Sequence, residues 1–188
     1  MRPRVRHDTY PNEGTEMTNT SALTTEQSDM LETLATHRSF LRFTARGLTD
    51  EQLRERATVS ELCIGGLLKH VAAVEQKWAA FIVDGPGAPR SFDEASLAAH
   101  SEGFRLRDDD TAESLLAVYD SVAKTTDRVV AGLANLDISH PLPEAPWFEP
   151  GARWSARRVV LHIIAETAQH AGHADIIREA IDGAKTMG

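Results

Sequence analysis

The sequence has little of what several classes of protein require. Its 188 residues include one cysteine, Cys63, so no disulfide can form within the chain. A zinc site built from two or more thiolates of one chain is excluded for the same reason. A single cysteine is typical of proteins kept in a reducing compartment, so we expect a cytoplasmic location.

Long apolar runs and clusters of basic residues are also missing. Apolar stretches such as VVL at 159–161 are far too short to span a bilayer, so no membrane partner is expected. The net charge is −8 with no block of Lys or Arg, which argues against a nucleic-acid partner. Residues 1–24 have no apolar run behind their basic residues and predict a disordered leader instead of a secretory signal, with Met17 as an alternative start.

Helical periodicity dominates the rest of the chain. Apolar spacing and capping residues predict four long helices, at about 25–46, after Ser60 to 83, from 110 or 111 to 135, and 155–183. On the first helix we expect an inward stripe of Leu31, Leu34, Leu41 and Ala45, with Gly47 ending the helix.

Two of the three connections are long and rich in proline or acidic residues, at 84–109 and 136–154. Four helices with two extended loops indicate an all-α fold, a four-helix bundle whose loops cover a site. We predict one such domain at 25–184.

The fourth helix carries an unusual polar stripe, His162, Glu166, His170 and His173. At about 100° per residue these side chains fall within an arc of about 80°, on the face that also carries aliphatic residues. Arg178 and other charged residues occupy the opposite sector and are expected to face solvent. The stripe therefore points toward the bundle interior.

Two interpretations of the stripe remain open. A single histidine on an apolar face is usually a hydrogen-bonded core residue, and a Glu–His pair four residues apart can be a simple ion pair. Burying a carboxylate among imidazoles costs on the order of several kcal/mol unless the groups are paired or bind a cation. The set taken together favours a divalent metal, which prefers neutral His and ionised Glu.

One helix cannot surround a tetrahedral ion, so a second helix must contribute. His70 lies at the edge of the dense apolar face of the second predicted helix and is the candidate partner. Cys63, two turns earlier on nearly the same face, is better explained as a small buried residue.

Two segments carry a resemblance to a known family. GGLLKHVAAVEQKW and, much later, WSARRVVLHIIAETAQHAGHADIIREAIDG resemble the DinB/YfiT-like superfamily, within the actinobacterial branch that holds mycothiol-dependent enzymes and mini-circle proteins. The resemblance covers residues 25 to 184. It implies an up-down-down-up-type four-helix bundle with long loops between helices 2 and 3 and between helices 3 and 4, often a homodimer.

The resemblance also implies a ligand set. Members bind a divalent metal, zinc most often and nickel as the alternative, through one residue of the second helix and two of the last, four apart. Here these positions are His70, Glu166 and His170. Most members use three histidines; the His, Glu, His set is similar to mycothiol-dependent maleylpyruvate isomerase. His162 and His173 would orient these ligands or face the substrate.

Three functions are compatible with such a centre. The resemblance favours an S-transferase in which the metal activates a low-molecular-weight thiol, mycothiol, for transfer to a small electrophile or for its isomerisation. The alternatives are a hydrolase that uses metal-bound water and a metal-binding stress or interaction protein without catalysis. His173 or His162 would carry the proton in either reaction. Candidate substrate- or cofactor-binding residues are Trp78, Trp154 and Arg153, although arginines at the start of a helix are often only solvated.

Overall fold

The computed structural model of the chain describes residues 22–87 and 102–186. Within these residues it contains five helices and two short strands: α1 Thr25–Ala45, α2 Asp50–Arg54, α3 Ile64–Asp84, α4 Ala112–Gly132, β1 Ser139–Pro141, β2 Arg153–Ser155 and α5 Ala156–Asp182. The predicted leader at 1–24 lies almost entirely outside the described residues, as does much of the predicted loop at 84–109.

Local capping fixes most of the helix ends. The Thr24 side chain accepts a hydrogen bond from the Gln27 amide at the start of α1, and Ser155 accepts from the Arg158 amide at the start of α5. Gly183 ends α5 in a left-handed conformation at φ 78°, which glycine adopts without steric cost. The predicted start and end of the last helix are therefore confirmed.

The second long helix begins later than predicted. The Ser60 hydroxyl accepts a hydrogen bond from the Leu62 amide in a local bend, and α3 starts only after Cys63, whose side chain makes no capping hydrogen bond. The predicted connection between the first two helices contains α2, and the predicted loop at 136–154 contains β1 and most of β2. These two strands pair antiparallel, with His140 opposite Trp154.

The long helices pack as a bundle, so the predicted all-α class is confirmed. α1 packs mainly on α5, α4 packs mainly on α3, and α3 and α5 pack on each other. No helix within the described ranges combines the length and the apolarity that a membrane crossing needs.

The apolar core consists of two clusters that meet along α3 and α5. One includes Leu41, Leu67 and Ala174, and the other includes Leu34 and Ile163. Along α5 the stretch 165–170 separates them, and two of the predicted ligands lie in this stretch.

Two arginines are buried within the bundle. Arg38 lies on the apolar stripe of α1 and pairs with Glu75 of α3 and Asp127 of α4. Arg178, predicted to face solvent, instead donates from Nη1 to the carbonyls of Thr44 and Arg46, at 2.9 and 2.8 Å. The prediction for Arg178 is wrong. The last carbonyls of α1 lack partners within their own helix and need hydrogen-bond donors, which the apolar periodicity of α5 does not show.

Candidate metal centre

Three side chains from two helices converge at the middle of the bundle. His70 of α3 and Glu166 and His170 of α5 each offer one ligand atom, and these atoms all lie within 4.8 Å of one another. His170 Nε2 is 3.5 Å from Glu166 Oε2, and the His70 and His170 rings meet edge to face at 4.9 Å. Zinc holds nitrogen and oxygen ligands at about 2.0–2.2 Å, so a small side-chain adjustment would let all three share one ion. The donor set fits a divalent metal.

The protonation state of Glu166 also suits a cation. The contact with His170 holds the pKa of the Glu166 carboxyl below its ordinary value, and the nearby His162 and His70 imidazoles lower it further. Burial acts in the opposite direction but is outweighed. The side chain is 28% exposed, and His70 is only 7% exposed. A partly buried carboxylate is thus kept ionised beside imidazoles.

A crossing segment of chain holds His70 in place. One turn before His70, Gly66 lies so close to this segment that a Cβ would sit 2.3 Å from the Phe104 carbonyl oxygen. The Phe104 ring then stacks on the His70 imidazole at 3.9 Å and 15°. Lys69 anchors the same segment by donating to the Arg105 carbonyl at 2.8 Å and to the Asp110 carboxylate at 3.0 Å. The sequence gives no indication that Phe104 contacts His70. Two adjacent glycines inside a predicted helix, Gly65 and Gly66, do indicate that another part of the chain approaches closely there.

We expect Gly66→Ala to weaken metal binding about tenfold, in the range found when residues that orient ligands are changed. The added methyl cannot fit 2.3 Å from a backbone oxygen, so the segment must move and the Phe104 ring must leave His70. Zinc affinity measured by competition with a chromophoric chelator checks this. Gly132→Ala is the matched control because its Cβ would meet nothing within 4 Å. Equal affinity in the two variants would show that the crossing segment does not position His70.

The two other histidines of the stripe flank the candidate ligands. His162 Nε2 lies 3.7 Å from Glu166 Oε1, and His173 Nδ1 lies 3.4 Å from His170 Nδ1. A hydrogen bond between two imidazole nitrogens needs one N–H and one bare nitrogen, so the tautomers of His170 and His173 are linked. Burial lowers the pKa of His162, and the positive charges of Arg158 and Lys77 lower it further. The negative charge of Glu166 raises this pKa but does not cancel the lowering. His162 is therefore neutral at neutral pH.

The other predicted residues lie at different distances from the centre. Trp78 and Trp154 stack on each other at 4.9 Å, and both rings contact His162 edge to face. Arg153 donates to the Ser139 carbonyl at 2.7 Å across the hairpin, and its role in binding stays a prediction. Cys63 is buried and is not part of the converging group.

The sequence model of one family, described as Mycothiol-S-transferase, matches residues 29–183. The chain belongs to this family. The predicted resemblance to the mycothiol-dependent branch of the DinB/YfiT-like proteins is confirmed, and the matched span contains all three converging side chains. A search of curated proteins found no match to the chain.

Proposed function

We propose that the protein is a divalent-metal-dependent S-transferase that joins mycothiol to a small electrophilic molecule. The observation that carries this proposal is the convergence of His70, Glu166 and His170 within 4.8 Å, in a member of the mycothiol-S-transferase family. In this proposal these three residues hold the ion, which is zinc, with nickel as the alternative. Two nitrogens and one carboxylate oxygen suit either metal.

Three protein ligands leave a coordination position for a cosubstrate, which is typical of catalytic and not of structural sites. The bound cation would supply positive charge that lowers the pKa of a thiol placed beside it. The nucleophilic sulfur has to come from outside the chain, because Cys63 is the protein's one thiol and lies buried at the start of α3.

The remaining residues of the stripe would handle the proton. In the proposed transfer the thiol S–H bond breaks, a sulfur–carbon bond forms, and the leaving group departs with the electron pair of its bond to carbon. His162 Nε2 is the proposed acceptor of the thiol proton, since this imidazole is neutral, partly exposed and 3.7 Å from Glu166. His173 is the alternative acceptor and, through its contact with His170, would fix the orientation of that ligand. If the electrophile has an activated double bond, reversible addition would instead allow isomerisation.

The proposal predicts that adduct formation requires both the metal and the thiol. Purified protein is stripped with a chelator, reloaded with zinc or nickel, and mixed with mycothiol and monochlorobimane, whose thiol adduct is fluorescent. We expect the rate above the uncatalysed background to vanish on stripping and to return on reloading. His37→Ala is the matched control, because His37 lies on α1 outside the converging group and its loss should leave the rate unchanged.

Two other results would replace the proposal. Metal-dependent cleavage of a chromogenic ester without any thiol adduct would assign the centre to hydrolysis by bound water. Stoichiometric metal with neither reaction would favour a metal-binding protein without catalysis.

A further inference from the structure

All three tryptophans of the chain lie in one aromatic cluster beside the candidate metal centre. Trp78 of α3 stacks on Trp154 of β2 with ring centroids 4.9 Å apart and planes 20° apart. Phe148 contacts Trp154 edge to face at 5.6 Å, and Trp147 contacts Phe148 at 6.1 Å. The cluster thus runs from the bundle onto the hairpin loop, where Trp147 is 65% exposed.

His162 connects this cluster to the candidate ligands. Its ring stands edge to face on Trp78 at 4.9 Å and on Trp154 at 5.2 Å, while its Nε2 faces Glu166 at 3.7 Å. A small molecule in contact with the tryptophan pair would therefore lie one imidazole away from Glu166. An electrophile held there would be close to a sulfur activated at the centre.

The burial of these rings differs from that of an ordinary core aromatic. Tyr119 in the centre of the bundle is completely buried, whereas both stacked tryptophans are only partly buried and the His162 side chain is 25% exposed. Aromatic rings at the edge of a site, with part of their surface in water, gain stability when a planar ligand covers that surface.

Two cations accompany the tryptophan pair. The guanidinium carbon of Arg158 lies 4.9 Å from the Trp154 ring centre, and the Lys77 amine lies 6.0 Å from the Trp78 ring centre. Arg158 is exposed and forms no ion pair with a carboxylate in the part of the chain that the structure describes. In a chain of net charge −8, the exposed Arg158 guanidinium places a positive group at this edge that complements an anion.

We infer that Trp78, Trp154 and Arg158 form the binding subsite for the electrophile, which is a planar aromatic or conjugated molecule carrying an anionic group. The tryptophan pair would contact the planar body, and the Arg158 guanidinium would pair with the anion through charge-assisted hydrogen bonds. This inference rests on the proposed function, because it takes the ligand to be the acceptor of the thiol.

Equilibrium binding of unreactive probes tests the subsite without any turnover. Full-length, zinc-loaded protein is titrated with 3-nitrobenzoate and with its neutral analogue 3-nitrobenzamide. Binding is followed by quenching of tryptophan fluorescence, since every tryptophan of the chain lies in the cluster, and by calorimetry. We expect 3-nitrobenzoate to bind about tenfold more tightly than 3-nitrobenzamide, the effect of one charge-assisted hydrogen bond.

The variants separate the two contributions. Arg158→Gln should abolish the preference for the carboxylate, and Trp154→Leu should weaken both probes about fivefold while leaving the preference in place. Arg128→Gln is the control, because this exposed arginine of α4 bonds only within its own helix among the described residues. Circular dichroism of each variant confirms that the bundle is folded.

Two results would overturn the inference: equal affinity for the two probes in the unaltered protein, or a preference that survives in folded Arg158→Gln. The test also separates this inference from the proposed function. If the probes bind as expected but no thiol transfer occurs, the proposed subsite stands and the proposed transferase function is wrong. If thiol transfer occurs but the probe preference is missing, the transferase function stands and the subsite is wrong.

Discussion

His170→Ala is expected to lower zinc affinity by roughly 100-fold or more, because it removes one of three protein ligands from a centre of this kind. The loss should appear as a fall in the zinc content of purified protein and, under the proposed function, as loss of thiol transfer. Elemental analysis joined to chelator competition measures the change. The fold should persist, because alanine is the residue most favourable to a helix interior.

The control for this experiment is again His37→Ala, which removes an imidazole from α1 without touching the converging group. Thermal unfolding of both variants without added metal distinguishes loss of a ligand from loss of the fold. Unchanged, stoichiometric zinc in folded His170→Ala would remove this residue from the ligand set.

Glu75→Ala is expected to destabilise the protein by about 3 kcal/mol, at the lower end of the cost of breaking a buried ion pair. The Glu75 side chain is 0% exposed and accepts hydrogen bonds from Nε and Nη2 of Arg38, which is 2% exposed. Removing the carboxylate leaves a buried guanidinium whose remaining partner, Asp127, is about half exposed. Urea unfolding measures the change in the free energy of unfolding.

The chain offers an exposed pair as the control. Glu61 and Arg56 are also paired, but the Glu61 side chain is 86% exposed, so Glu61→Ala should change stability by less than about 1 kcal/mol. Replacing both Arg38 and Glu75 by apolar residues of similar volume should recover much of the loss. Equal destabilisation by Glu75→Ala and Glu61→Ala would show that the buried pair does not hold α1 against α3.

The buried pair matters for the centre because Glu75 and His70 both lie on α3. Glu75 follows His70 by five residues, and its bonds to Arg38 tie α3 to α1. Arg38 also reaches Asp127 at 2.8 Å, which brings in α4. This network fixes the helix that carries His70 relative to the rest of the bundle. We therefore regard it as structural support for the centre.

Much of the helical architecture could be predicted because its signals are local. Ser155 and Gly183 mark the ends of α5 in the sequence, and Gly47 lies in the left-handed conformation just after α1, at φ 75°. The short helix α2 also had a local signal, a capping box formed by Thr49 and Gln52, but five residues are too few to show a periodic apolar face.

Other features depend on contacts between distant residues and could not be predicted from spacing. The strands of the hairpin are three residues long, too short for an alternating pattern. Arg38 falls on the stripe formed by Leu34 and Leu41, where hydropathy alone argues against burial, and its partner is 37 residues away. Charged residues enter a core only when paired, and the pairing is visible only in three dimensions.

The candidate centre shows the same division. The spacing of Glu166 and His170 placed both on one face of a helix, which is a local property. His70 was predicted as their partner from its place at the edge of the apolar face of the second predicted helix, and the family resemblance implied the same residue. Periodicity gives the face of a helix but not its neighbour, so the approach of His70 to Glu166 and His170 is visible only in the structure. Neither the residue spacing nor the family resemblance predicted that Phe104 stacks on His70, because this contact depends on where a loop crosses α3.

The central claim is that one divalent ion is shared by two imidazoles and a carboxylate from α3 and α5. Anomalous diffraction from zinc-loaded crystals, recorded on both sides of the zinc absorption edge, tests it most directly. The account predicts one strong peak at about 2.0–2.2 Å from a nitrogen of His70, an oxygen of Glu166 and a nitrogen of His170. A peak that lies elsewhere, or one that any of these three side chains fails to reach, would contradict it.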